Sequence, residues 1–596
     1  MPQTDDTPES GDSARTGPTA TEHHSLADRS RARLRRILGL DGPHDGFVVS
    51  SLHGDEAEAP GLDARETAQL RGVRRFGATG ALLMALGALG AGAQPVLQNP
   101  VQGLRFLGLP ARMPSVALTL TMTGSAMVVL AWLLLGRFAV GSFREGSPVR
   151  RLTRSQLDRT LLLWVIPLTI APPMFSKDVY SYLAQSEIAA RGLDPYAIGP
   201  AQALGVDDVL TRTVPTIWRD TPAPYGPLFI WLGKGISGLT GDNIVAGIFL
   251  HRLLALAGVA LIVWALPRLA RRCGVAAVTA LWLGAANPLL LFHLVAGIHN
   301  EALMIGLMLA GMEIALRAVE GPDPIRFRIP GTAAGGGSLA LLLAGSGLIA
   351  LSATVKIPTL LALGFLGMAL ARRWGGTFRA VCAAAALLTA VTVVVVFAVS
   401  LLSGLGFGWL NPDTLGTANE VRSWMSLPTL LGLGTGLAGV LLGLGDHTTA
   451  VLSLTRPIAS LAAAFVALRM LIAVLVGRIH PIGALGVSLG VLVLLFPVVQ
   501  PWYLLWAVIP LAAWATRPVF RIPAIAFSSV VSLIVMPNGG EYPPFIIVQA
   551  AIATILVCGT FIVVTRNRLP WRTETGNSNS GATGGHRTPG AYAETP

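Results

Sequence analysis

Apolar blocks of roughly 15 to 25 residues recur from position 77 to position 565, close to the length a helix needs to cross a bilayer core of about 30 Å. Segments 77–94, 115–136, 159–174, 243–266, 275–295, 299–318 and 338–355 read as membrane helices. So do 358–371, 378–402, 453–477, 481–498, 502–516, 522–536 and 544–565. The pattern predicts an all-α polytopic membrane protein with about 14 transmembrane helices. Two further apolar stretches, 226–240 and 428–444, read as interfacial or re-entrant helices, because counting either as a span inverts the Arg-rich connections that follow.

Basic residues supply the orientation. Alternate connections carry Arg150, Arg151 and Arg154, then Arg268, Arg271 and Arg272, then Arg372 and Arg373, with Arg478, Arg517 and Arg521 further on. Positively charged loops stay in the cytoplasm, so both termini are expected there. Two long connections, 175–242 and 403–452, are then extracytoplasmic, and long ordered loops on a rigid scaffold tend to carry function.

Composition agrees with a membrane class: of 596 residues, 52% are hydrophobic and only 13% charged. The formal charge of +12 would suit nucleic acid in a soluble protein. Here the basic residues border apolar spans, so membrane lipids are the expected partners and nucleic acid is not. Residues 1–46 and 567–596 read as disordered cytoplasmic ends, 47–76 as a juxtamembrane segment and 77–566 as the membrane domain. No apolar signal-peptide core follows Met1, so the first membrane helix is expected to direct insertion. Cys273, Cys382 and Cys558 are too scattered for a disulfide framework or a metal site. Nucleotide-binding loops and metalloenzyme motifs are absent from the sequence, so an activated donor is expected to come from the membrane, as a lipid phosphate.

Candidate chemistry gathers where spans meet the extracytoplasmic side. Asp178, in Lys177-Asp-Val-Tyr180-Ser-Tyr182, follows a span that ends in Pro-Pro. In a helix from Ser176, Asp178, Tyr182 and Gln185 share one face. A carboxylate among aromatic rings suits a general base whose basicity burial raises, although a first-turn Asp favoured by the helix dipole fits the same position. His299-Asn300-Glu301 starts a span and reads either as a ligand-facing triplet or as a polar turn with Glu301 at the helix start. Lys356 is a cation on the side that the positive-inside rule depletes, suited to a lipid phosphate or to snorkelling towards headgroups. Arg252, beside His251, is a second phosphate clamp or an ion-pair partner for a loop carboxylate. Trp424, Trp502 and Tyr503 either stack on sugar or belong to an interfacial aromatic belt.

The motifs Lys177-Asp178-Val-Tyr-Ser-Tyr182, Gly192-Leu-Asp-Pro-Tyr196, Pro224-Tyr-Gly-Pro227, His299-Asn-Glu-Ala302 and Gln500-Pro-Trp-Tyr503 resemble those of actinobacterial α-1,6-mannosyltransferases that use polyprenol phosphomannose. These are GT-C glycosyltransferases. Ser51-Leu-His-Gly-Asp-Glu56 and Val421-Arg-Ser-Trp-Met-Ser426 resemble the B-type enzymes of lipomannan and lipoarabinomannan synthesis. The resemblance implies inverting transfer of mannose from polyprenyl phosphomannose to the 6-hydroxyl of a mannosylated glycolipid, with Asp178 as base. It implies Lys356, Arg252, His299 and Arg422 around the donor phosphate, and Tyr180, Tyr182, Glu301, Trp424, Trp502 and Tyr503 around sugar. Many relatives carry two adjacent acids where this chain has Lys177-Asp178, so a single base with no metal and no cofactor is expected. The competing readings are a transporter or flippase for a lipid-linked sugar and a structural subunit of an envelope complex.

Overall fold

The protein is described by a computed structural model covering residues 52–141, 149–322, 325, 336–416, 422–566 and 568–571. The expected N-terminal segment 1–46, and all of 567–596 except 568–571, lie outside the described residues. Among the described residues the fold is helical throughout and has no strand, only an isolated bridge between Gly61 and Arg151.

The longer helices are α1 (Ala64–Ala91), α2 (Pro114–Val140), α3 (Arg154–Ile170), α4 (Asp178–Ala190), α5 (Pro227–Thr240) and α6 (Ile244–Arg272). They continue as α7 (Ala277–Gly284), α8 (Glu301–Glu320), α9 (Gly336–Ala353), α10 (Leu360–Arg373) and α11 (Phe378–Leu402). The last are α12 (Leu427–Leu441), α13 (Thr448–Leu475), α14 (Pro481–Leu495), α15 (Leu504–Ala512), α16 (Pro518–Ile534) and α17 (Pro544–Thr565). Six of them, α2, α6, α8, α11, α13 and α17, are long and apolar enough to cross a membrane. The chain is a multi-pass membrane protein built of helices.

Every predicted span contains helix, but two differ in form. The first begins at Ala64 rather than 77, inside the expected juxtamembrane segment. Asp63 and Glu66 close a capping box there, each side chain accepting the other's backbone N–H at 2.8 and 2.9 Å. Arg74 then ties this polar first half to α3, donating to Thr160 Oγ1 and the Gln156 carbonyl. The fifth predicted span, 275–295, is broken. Pro288 interrupts the helical hydrogen-bond ladder, and Asn287 bridges the gap through Ser528 Oγ at 2.9 Å and the Leu289 N–H at 2.9 Å. The chain resumes as a π-helical turn, Leu290–Ala296. The apolar stretches 226–240 and 428–444 form α5 and α12, both shorter than a span.

The core lies around α8, whose most apolar window is 83% buried, against 11% for α17. One end of α8 therefore meets several connections at once, and the candidate site is there.

Candidate active site

Pro172 and Pro173 follow α3, and the chain turns through Phe175 into α4. Phe175 has φ +65, and Ile298, just before His299, has φ +60. Left-handed backbone at bulky residues costs about 1–3 kcal/mol each and persists only where packing enforces it. Here the Phe175 ring stacks on Phe292 at 5.0 Å, and its N–H donates to the Pro537 carbonyl at 2.8 Å. Gly539, at φ +62, lets that last turn approach: a Cβ there would stand 2.8 Å from Ser176 Cα.

The helix begins at Asp178, two residues later than expected, with Ser176 Oγ accepting the Asp178 N–H at 3.0 Å. Asp178, Ser181 and Gln185 line a cleft of about 530 Å³ together with Lys177, Gln500 and Trp502. Tyr182 turns from this wall and packs edge-on against Tyr225 and Phe229, at 5.1 and 4.8 Å. Burial pushes both phenols, Tyr182 and Tyr225, well up in pKa and keeps them neutral.

Behind Asp178 lies a buried ionic cluster. His299 Nδ1 is 3.4 Å from Asp178 Oδ2 and 3.8 Å from Glu301 Oε2. The ring of His299 stacks on Trp502, with centroids 3.5 Å apart. Glu301, the first residue of α8, pairs with Lys356 Nζ, which also sits 3.4 Å from the Tyr503 hydroxyl and 4.8 Å from its ring. Lys356 is thus an internal ion-pair partner rather than a lone cation. Burial is the largest influence and would lower its pKa, but Glu301, Tyr503 and Asp178 together outweigh it and raise it.

The expectation for Asp178 is reversed in sign. Burial would raise its carboxyl, yet His299 beside it, then Lys356 and Ser176, hold it below the ordinary carboxylate value. Its side chain is 27% exposed whereas that of Glu301 is 1% exposed, so Asp178 is the carboxylate a ligand in the cleft can reach. Around it, Ser181 Oγ, Gln185 Oε1, both His299 ring nitrogens, the Asn300 amide and Trp502 Nε1 are buried without a hydrogen-bond partner. Buried polar atoms are normally satisfied, so this concentration leaves donors and acceptors open to water or a polar ligand.

Four nominated residues stand elsewhere. Arg252 is buried, and Nη1 donates to the carbonyls of Thr169 and Ala171 at 2.8 and 2.5 Å, closing the end of α3 instead of facing the cleft. The Tyr180 hydroxyl likewise donates to the Ala93 carbonyl at 2.5 Å. Arg422 is exposed and reaches Thr449 Oγ1 at 3.5 Å, and Trp424 is 58% exposed; neither lines the cleft. Sequence reasoning passed over Lys177 as a cation: it lines the cleft, and among the described residues it has no carboxylate partner. Val535, Met536, Gly539, Gly540 and Glu541, which also line the cleft, were missed as well, although the Asn-Gly-Gly run there is a turn signal.

Residues 74–372 match the family described as alpha-(1->6)-mannopyranosyltransferase, N-terminal domain, and residues 428–563 match the MptB C-terminal domain. The cleft lies where the two regions meet: Lys177, Asp178 and Gln185 come from the first, Trp502 and the Gly539 turn from the second. The chain is 57% identical to a Mycolicibacterium smegmatis protein named probable alpha-(1->6)-mannopyranosyltransferase, over 88% of this chain and 94% of that one. It is 55% identical to an alpha-(1->6)-mannopyranosyltransferase of Mycobacterium tuberculosis, over 88% and 93% of the two chains. With alpha-(1->6)-mannopyranosyltransferase B of Corynebacterium glutamicum it shares 40% identity over 83% and 81%. No solved structure matches it. Motifs, two matched regions and long alignments agree: this chain belongs to the alpha-(1->6)-mannopyranosyltransferase family, and is a mannosyltransferase.

Proposed function

We propose that the chain moves mannose from polyprenyl phosphomannose to the 6-hydroxyl of an α-mannoside on a glycolipid, by inverting displacement, in building a lipomannan or lipoarabinomannan backbone. The carrying observation is Asp178: a reachable carboxylate on the wall of a cleft, with His299 directly behind it and Lys177 beside it. Asp178 takes the proton of the acceptor hydroxyl as the oxygen bonds to the anomeric carbon. The bond from that carbon to the phosphate oxygen breaks, and polyprenyl phosphate leaves as an anion. Lys177 faces that anion from the cleft wall, Lys356 adds positive potential from behind, and His299 offers a ring nitrogen as a hydrogen-bond partner. Gln185, Ser181 and Trp502 offer polar and stacking contacts to sugar. A single carboxylate works here without a metal or other cofactor, in keeping with Lys177 standing where many relatives carry a second acid.

The reading includes a GT-C-type fold of about 14 spans, the shorter helices completing the six long ones. Both termini are cytoplasmic and the cleft is extracytoplasmic, supported by Arg272, Arg372 and Arg373 ending α6 and α10 at the far side from Lys356.

The test is mannosyl transfer by purified protein with polyprenyl phosphomannose and a short α-1,6-mannoside, wild type against Asp178→Asn. Equal turnover in the two would overturn the base assignment. Failure with every acceptor, with donor translocation in liposomes, would replace transfer by flipping.

A further inference from the structure

The cleft extends well past the base. Asp178, Ser181 and Gln185 all line it, and their spacing puts them on one face of α4, with Gln185 about 10 Å beyond Asp178 along the helix axis. One pyranose ring at Asp178 does not span that distance. The facing stretch of chain leads the same way. Its Tyr225 ring meets Tyr182 at 5.1 Å, its Ala223 N–H donates to the Pro195 carbonyl just past α4 at 2.8 Å, and its Arg219 carbonyl accepts from the Ala201 N–H, further on still, at 2.8 Å. Trp218, next to Arg219, thus lines the end of the cleft away from Asp178.

Two side chains towards this far end have nothing to bind. Gln185 is 3% exposed, and its Oε1 has no hydrogen-bond partner among the described residues, whereas buried polar atoms are normally satisfied. Trp218 is half-buried, and among the described residues its indole meets no other ring, no cation and no hydrogen-bond acceptor. The other aromatic rings of the cleft are taken: Phe175 stacks on Phe292 at 5.0 Å, Trp502 on His299 at 3.5 Å, and Tyr225 stands edge-on to Tyr182. The turn that carries Trp218 is nevertheless fixed. Its N–H donates to the Pro215 carbonyl at 2.9 Å, and Arg219 donates through Nε and Nη2 to the Val214 and Arg212 carbonyls at 3.0 and 2.9 Å. A large ring on a fixed turn is a platform that loses little freedom when a ligand covers it.

An indole face packs against the C–H face of a pyranose, and a buried amide oxygen accepts from a sugar hydroxyl, so the two side chains together suit a sugar. We propose that Gln185 and Trp218 form a second sugar subsite, which holds the residue next to the one that receives mannose. The protein then favours an acceptor of two or more linked sugars over a single one, and Trp218 sets that preference. The subsite deepens the transfer reading and rests on its acceptor being a mannoside.

Ligand-observed NMR titration of the full-length protein in neutral detergent, with methyl α-mannoside and with the methyl glycoside of α-1,6-dimannose, reads the subsite without turnover. Transfer assays with the same two acceptors read it with turnover. The disaccharide is expected to bind at least about tenfold more tightly, Trp218→Ala to lose most of that advantage and Trp218→Phe to keep most of it. In the transfer assay Trp218→Ala should raise KM for the disaccharide by the same factor. If Trp218→Ala does not fold, Gln185→Leu is read by the same titrations. Equal affinity of the wild type for the two sugars, or an advantage that the substitution leaves intact, overturns the subsite. A loss shared equally by both sugars overturns it too, because it marks a structural role. A binding advantage with no transfer by the wild type would instead sink the transfer reaction and leave the subsite standing.

Discussion

The buried cluster behind Asp178 and the exposed edge that carries Arg422 and Trp424, away from the cleft, both hold charged and aromatic residues of the kind that bind a glycosyl phosphate, but they are built differently. In the cluster, Asp178, His299, Glu301, Lys356 and Tyr503 arrive from four separate stretches of chain and contact one another, with only Asp178 reaching the cleft. At the edge, Arg422 meets one hydroxyl and Trp424 faces outwards. An exposed ion pair is worth about 0–1 kcal/mol, whereas removing one partner of a buried pair costs about 3–5 kcal/mol. The same residue types are therefore fixed in position in one place and replaceable in the other.

Substitutions can widen or erase that contrast. Asp178→Asn is expected to lower turnover by about 10² to 10⁴ at unchanged protein level, measured by transfer from polyprenyl phosphomannose. Lys356→Met leaves Glu301 buried without its cation and should cost about 3–5 kcal/mol of stability, seen as a lower unfolding temperature. Adding Glu301→Gln to that variant should restore most of the loss; no restoration would mean that Lys356 acts through something other than this pair.

The pH dependence follows from the same cluster. Because the Asp178 carboxyl is held below the ordinary value, its contribution to stability is present above the unfolded pKa and is lost only as pH falls through the lowered folded value. The acid limb of turnover should accordingly lie below the ordinary carboxylate range, and Lys356→Met should move it upwards. An acid limb unmoved by that substitution would uncouple Lys356 from Asp178. At the edge, Arg422→Gln and Trp424→Ala should change stability by no more than about 0.5 kcal/mol and turnover by less than about threefold. A tenfold loss in either would bring the edge into the site.

Apolar length alone set α11 and α17, so their limits at 378–402 and 544–565 agree with the residue pattern. The start of α1 was hidden because its first turns are polar and are stabilised by a capping box and by Arg74 on α3. In the site, each residue of the buried cluster was visible as a polar group at a helix end. Their partnership was not, since Lys356 and Glu301 are joined by tertiary packing that no local periodicity encodes. Arg252 and Tyr180 show the converse: they have the right chemistry near the right boundary, but their donors reach the carbonyls of Thr169, Ala171 and Ala93. Lys177 was read only as a substituted acid, and its side chain faces the cleft because α4 starts at the next residue.

The left-handed turn at Phe175 is held by a carbonyl from Pro537, far along the chain. Synthesis proceeds from the N-terminus, so Asp178 leaves the ribosome long before that carbonyl exists. Stacking on Phe292 can form earlier, but the hydrogen bond that completes the turn waits for the segment before the last helix. The cleft is thus complete only when its first-made and last-made walls have come together.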